Sequence, residues 1–135
     1  MAQVLKDVKV VEHGTFITGP AASMLLADLG ADVVKVELPV TGDPFRAYKG
    51  ELYSPHFQTY NRNKRSIAID LKDPVGREDL HRLLATADAL IHNIRPQKLA
   101  GLELDAATIR GRHPHLVYAS LGGFAAGGPY AGQPA

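Results

Sequence analysis

The stretch from Ala21 through Leu29-Gly30-Ala31-Asp32 to Glu37 leaves this chain little freedom in how it folds. Ala21-Ala22-Ser23-Met24-Leu25-Leu26-Ala27 carries no Gly or Pro and reads as a helix sunk into a core. Gly30 stops it, since a glycine takes the left-handed conformation after a helix without steric cost. Asp32-Val33-Val34-Lys35-Val36-Glu37 follows with β-branched residues at three of six positions, the pattern of a strand in a covered sheet. One helix therefore passes straight into one buried strand that ends on a carboxylate.

The elements around this pair alternate in the same way. Val8 to Glu12 forms a first strand. His13-Gly14-Thr15-Phe16-Ile17-Thr18-Gly19-Pro20 is a loop whose proline suits the first turn of the next helix. Strand, loop, helix and strand together span about 30 residues, the length of a βαβ unit. From Leu38 to Tyr60 the periodicity is lost among Pro39, Gly42, Pro44, Gly50 and Pro55, which predicts a long irregular excursion. The tyrosines at 48, 53 and 60 are expected to pack there. Asn61 to Ser66 is a polar, basic turn into a third strand, Ile67 to Leu71. Asp73-Pro74 opens a helix with Leu80, Leu83, Leu84 and Ala87 along one face and Arg77, Glu78, His81 and Arg82 on the wet one. Ala87 to His92 is a fourth strand. Asp105 caps a short helix through Ile109 and Arg112, closed by His113-Pro114, and Leu116 to Leu121 is a fifth strand. The alternation predicts an α/β fold, a doubly wound, Rossmann-like parallel sheet. The last segment, Gly122 to Ala135, has five glycines and two prolines and no closing element, so the sheet is expected to be incomplete at its C-terminal end.

The 135 residues suit one domain with one core. The chain has no cysteine, which excludes disulfides and thiolate metal sites and suits a cytoplasmic protein. No apolar run approaches the roughly 18 residues of a membrane helix, and a signal-peptide h-region is missing. Fifteen basic against fourteen acidic residues leave a net charge of +1, which makes no case for nucleic acid or membrane surfaces. The histidines have no metal-ligand spacing; His13 and His92, both following strands, are placed to approach a ligand, but solvent-facing or hydrogen-bonded structural roles are expected of them.

Several segments together carry a family resemblance. Thr18-Gly19-Pro20-Ala21, Leu26 to Glu37, Gly42-Asp43, Asn61 to Lys72, Asp88 to Pro96, and Pro114 through Gly127-Gly128-Pro129-Tyr130 resemble, in order and spacing, the family III CoA-transferases. That group includes formyl-CoA transferase, carnitine CoA-transferase and α-methylacyl-CoA racemase. The match covers essentially the whole chain but only the N-terminal part of a member. The resemblance therefore implies that residues 1–135 are the N-terminal portion of a large CoA-binding α/β domain. Members move CoA between carboxylic acids through an aspartyl-CoA intermediate, or in the racemase branch use a His and an Asp on the α-carbon. By the family's pattern those residues lie beyond the Gly-Gly-Pro-Tyr segment, so no catalytic residue is expected here. The chain alone is then expected to be an inactive folded fragment that self-associates through exposed apolar surface; full-length members form interlocked dimers.

The resemblance also places the nucleotide side of the site. CoA or acyl-CoA would be a substrate, with no cofactor held tightly and no metal. Ile17 and Thr18 after the first strand, Asp70, Leu71 and Lys72 after the third, and Asn93, Ile94 and Arg95 after the fourth would line it, with Lys64, Arg65 and Lys72 suited to its phosphates. Ile17 stands where the formyl-CoA transferase type has a glutamine, and Leu38 and Gly101 where members often place an arginine. An NAD(P)-binding domain would share the strand–loop–helix–strand start and the acidic Glu37, but Gly14 and Gly19 do not make the G-x-G-x-x-G fingerprint.

Overall fold

A computed structural model describes residues 3–49, 54–125, 127–131 and 133. The expectations for Gly50, Tyr53 and the last residues around Ala135 lie outside the described residues. Five strands, β1 (Lys9–His13), β2 (Asp32–Glu37), β3 (Lys64–Ala68), β4 (Ala89–His92) and β5 (Val117–Ser120), form one sheet in the order β3-β2-β1-β4-β5. All four pairings are parallel, with Val10 opposite both Val33 and Ala89. The order reverses between β1 and β4, which are adjacent in the sheet but far apart in the chain.

Two apolar clusters lie on the two faces, as the strands' period of two requires. Val10, Val33 and Ile91 pack with Ala27 of α1 (Thr18–Asp28) on one side. Val11, Val36 and Leu90 pack on the other with Leu80 and Leu84 of α3 (Pro74–Leu84) and with Ile109 of α5 (Ala106–Arg112). Helices on both faces make the sheet doubly wound. Gly30, at φ 102°, ends α1 in the left-handed region and turns the chain directly into β2. Asp73 and Asp105 accept N–H hydrogen bonds from Val75 and Thr108 at the starts of α3 and α5.

The structure revises four expectations. The stretch from Leu38 to Tyr60 contains a 3₁₀ turn (Pro44–Arg46) and a helix, α2 (Pro55–Asn61), in which Ser54 caps the N–H of Phe57. β3 begins at Lys64, so the basic turn is the start of the strand. His81 is buried, hydrogen-bonded from Nδ1 to His113 Nε2 at 2.9 Å, because α5 covers that side of α3. A further short helix, α4 (Pro96–Leu99), follows β4. Tyr48 and Tyr60 do pack, both against Phe45. Among the described residues no helix is long and apolar enough to cross a membrane, and no His/Asp/Glu group could hold a metal.

Candidate functional site

In open parallel α/β sheets ligands sit beyond the carboxyl ends of the strands where the order reverses, here between β1 and β4. Among the described residues, Asn93 hydrogen-bonds the loops after these two strands to each other. Asn93 Oδ1 accepts the N–H of Thr15 at 2.9 Å, and its Nδ2 donates to the Thr15 carbonyl at 2.8 Å and to Thr18 Oγ1 at 3.0 Å. The β1–α1 loop can come this close to itself because of its glycines. A Cβ on Gly14 would lie 3.1 Å from the Gly19 Cα and from the Pro20 ring. Between them Phe16 takes a left-handed conformation, φ 62°, with its ring edge-on to Phe45 at 5.1 Å. A bulky residue rarely adopts that backbone, and such strain concentrates at functional sites.

The loop is held from below by buried charges. Lys35 Nζ meets Glu12 Oε1 at 2.8 Å, Asp43 Oδ2 at 2.9 Å and the Gly14 carbonyl at 2.8 Å. Lys64 Nζ meets Glu12 Oε2 at 2.9 Å, the Pro20 carbonyl at 2.8 Å and Asn61 Oδ1 at 3.2 Å. Ser23 donates its hydroxyl to Glu12 Oε2 at 3.0 Å. Asp43 Oδ1 accepts N–H groups from Phe45 and, at 3.4 Å, from Phe16. The two lysines and two carboxylates balance in charge, as burial demands. Burial, opposed by Glu12, lowers the pKa of Lys64.

A third buried carboxylate fixes the loop after β2. Glu37 accepts two hydrogen bonds from Arg46, both 2.7 Å, one from Ser66 Oγ and one from the N–H of Asp43. Burial alone would raise its pKa, but these donors bring it down to about 2. His13 donates from Nδ1 to the Val36 carbonyl at 3.0 Å, and burial lowers its pKa. His92 Nδ1 accepts from the Ile94 N–H, Nε2 donates to Tyr118 Oη at 2.7 Å, and Tyr118 passes its proton's hydrogen bond to the Leu104 carbonyl. Burial, with the nearby His13, pushes His92 down to about 4. Both histidines that follow strands are thus structural and neutral.

The residues anticipated for the site divide into three groups. Ile17, Thr18, Asn93, Ile94 and Arg95 come together at the β1/β4 crevice, with Ile17 and Thr18 exposed at the start of α1. Asp70, Leu71 and Lys72 follow β3 two strands away from β1, but Leu71 and Ile94 pack in the same cluster. Arg77 links that loop to the segment after α4, binding the Leu71 and Lys72 carbonyls and Glu103 Oε1. Lys72 and Arg95 are exposed, and their charged groups meet no side-chain partner among the described residues. Lys64 and Arg65 belong elsewhere, at the amino end of β3. Lys64 spends its charge on Glu12, and Arg65 is paired with Asp32 at 2.6 Å. Both placements have one cause: β3 begins three residues earlier than its apolar residues suggest, so the basic residues belong to the edge strand itself.

Glu12 and Lys35 are not marked as functional by any motif in the sequence, and Asp43 is marked only by the Gly42-Asp43 motif, without a role. A signal was present, because Lys35 interrupts a run of valines that must be covered, and a buried ammonium requires a carboxylate partner.

The profile of CoA-transferase family III matches residues 5–135. The succinate–glutarate CoA-transferase of Agrobacterium fabrum is 42% identical over 94% of this chain and 34% of its own length. The succinyl-CoA:glutarate CoA-transferase of Homo sapiens is 38% identical over 93% of this chain and 29% of its own. A CAIB/BAIF family protein from Brucella suis superposes with a TM-score of 0.92 at 38% identity, over 99% of this chain and 37% of that one. The chain spans about a third of the length of the relatives it matches.

Proposed function

Because the chain belongs to CoA-transferase family III, we propose that the carboxyl edge of its sheet binds the CoA portion of an acyl-CoA, in an enzyme that moves CoA between carboxylic acids. The observation that carries this reading is the pair of exposed, unpaired cations, Lys72 and Arg95, on loops that share an apolar cluster beside the crevice. The planar guanidinium of Arg95 suits two phosphate oxygens at once, and Lys72 supplies a point charge. Thr18 and Ile17 line the β1 side, and Asn93 acts by holding that loop in place rather than by reaching the ligand. Glu12, Glu37 and Asp43 are all spent in ion pairs, so none of them is the attacking carboxylate. In this reading CoA is exchanged rather than retained, and the enzyme works as a homo-oligomer.

Isothermal titration of the chain with CoA tests the reading. Arg95→Ala and Lys72→Ala should each weaken binding by about tenfold, as expected for a hydrogen bond to a charged group. The proposal fails if CoA does not bind or if both variants bind it as the parent does.

A further inference from the structure

Resting on the reading above, we propose that Arg77, set in place by Glu103, is a positioning residue for CoA: it holds the loop between β3 and α3 so that Lys72 meets the ligand from a fixed backbone. Arg77 Nη1 donates to two successive carbonyls of that loop, those of Leu71 and Lys72, both at 3.1 Å, while its Nε meets Glu103 Oε1 at 2.9 Å. The Arg77 side chain is 19% exposed and its charge is spent on Glu103, so it acts through the loop rather than on the ligand.

Both ends of this brace are anchored. Arg77 stands on α3, whose Leu80 and Leu84 are buried in the core. Glu103 follows a 3₁₀ turn (Ala100–Leu102) and takes a left-handed backbone, φ 57°; the next residue, Leu104, is fully buried and returns its N–H to the Leu99 carbonyl at 2.9 Å. A glutamate seldom adopts that backbone, and such strain persists only where its surroundings impose it. The loop is also pressed onto α3. A Cβ at Gly76 would lie 2.1 Å from the Asp70 carbonyl oxygen, so this helical position takes a glycine although glycine weakens a helix. Asp70 Oδ1 accepts the Lys72 N–H at 2.9 Å. These contacts grip the backbone of Lys72 on both sides and leave its side chain exposed. A partly exposed ion pair by itself contributes little. The two carbonyls make the difference, because a loop already held in place has less freedom to lose when the ligand arrives.

The test measures CoA binding by isothermal titration in Arg77→Gln, in Lys72→Ala and in the double variant. Arg77→Gln should weaken CoA by about fivefold, less than the loss from Lys72→Ala, and should add no further loss once Lys72 is alanine. Arg77→Lys, which keeps the cation but not the fork, should recover part of the affinity. Amide exchange in Arg77→Gln should quicken at Lys72 and stay unchanged in β2. If Arg77→Gln does not fold, Glu103→Asn carries the test: that side chain is 44% exposed, asparagine tolerates positive φ, and the same Lys72-dependent loss is expected. Unchanged CoA binding in Arg77→Gln or in Lys72→Ala, an equal loss with and without Lys72, or unchanged exchange at Lys72 overturns the inference while leaving the CoA site standing. Failure of the parent chain to bind CoA overturns the CoA reading and this one with it.

Discussion

Lys35→Met is the sharpest test of how the site is supported. The ammonium is 2% exposed and makes three close contacts, with Glu12, Asp43 and the Gly14 carbonyl. Methionine fills a similar volume but leaves Asp43 without a cation and Glu12 with Lys64 alone. Removing one partner from a buried pair costs about 3–5 kcal/mol, because the charge left behind stays desolvated. Against a typical stability of roughly 5–15 kcal/mol this is about a fifth or more of the total. In urea, at a slope of about 1–3 kcal/mol/M, the midpoint should fall by about 1–5 M. The companion experiment uses Glu12→Gln and Lys64→Met. Either change alone unbalances the cluster, whereas together they leave one neutral pair, Lys35 with Asp43. The double variant should therefore be more stable than the two single losses predict, by roughly 0.5–3 kcal/mol. If Lys35→Met costs less than about 1 kcal/mol, or the two changes simply add, the cluster is not the electrostatic support described here.

Other expectations follow from the same structure. His92, held at about 4 against 6.5 unfolded, binds fewer protons in the fold than in the unfolded chain, so stability should fall as pH drops from 6.5 to 4, by about 3 kcal/mol in all; His92→Gln should flatten that part of the profile. Glu37, held at about 2 against 4.5, contributes stability that is complete above 4.5 and lost as pH falls toward 2; Glu37→Gln should remove that lower slope, measured by urea unfolding at each pH. Val40 is fully exposed at φ 68°, a conformation that costs a β-branched residue about 1–2 kcal/mol; Val40→Gly should raise the thermal midpoint, and a lower midpoint would contradict the strain. Asn93→Ala should free the β1–α1 loop, seen as faster amide exchange at Thr15 with little change at β2.

The parts of the fold that were legible in the sequence are those where local chemistry and packing agree. Gly30 ends α1 and Val33, Val34 and Val36 fill β2, so the bounds of β2 match the expectation residue for residue. Asp73-Pro74 and Asp105 likewise marked the starts of α3 and α5. The misses occurred where tertiary contact overrides composition. α2 was hidden by the prolines and glycines of the segment before it and by its own aromatic residues, although Ser54-Pro55 is a cap followed by a first-turn proline. β3 starts on Lys64 and Arg65, which look solvated until Glu12 and Asp32 are known to stand opposite them. His81 looked wet because nothing in the local pattern announces that His113 will cover it. The same limit applies to the site. The loops after β1, β3 and β4 could be placed from the order of elements, but the charges beneath them belong to strands distant in sequence.

The most direct measurement of the central claim is thermal unfolding of the chain with CoA, with NAD as the control. A ligand that binds only the folded state at a hundredfold excess over its dissociation constant stabilises it by about 2.7 kcal/mol, a rise on the order of 10 °C for a domain of this size. The account predicts that rise with CoA, its loss in the Lys72→Ala/Arg95→Ala double variant, and no response to NAD. A rise with NAD, or an undiminished response to CoA in the double variant, would contradict it.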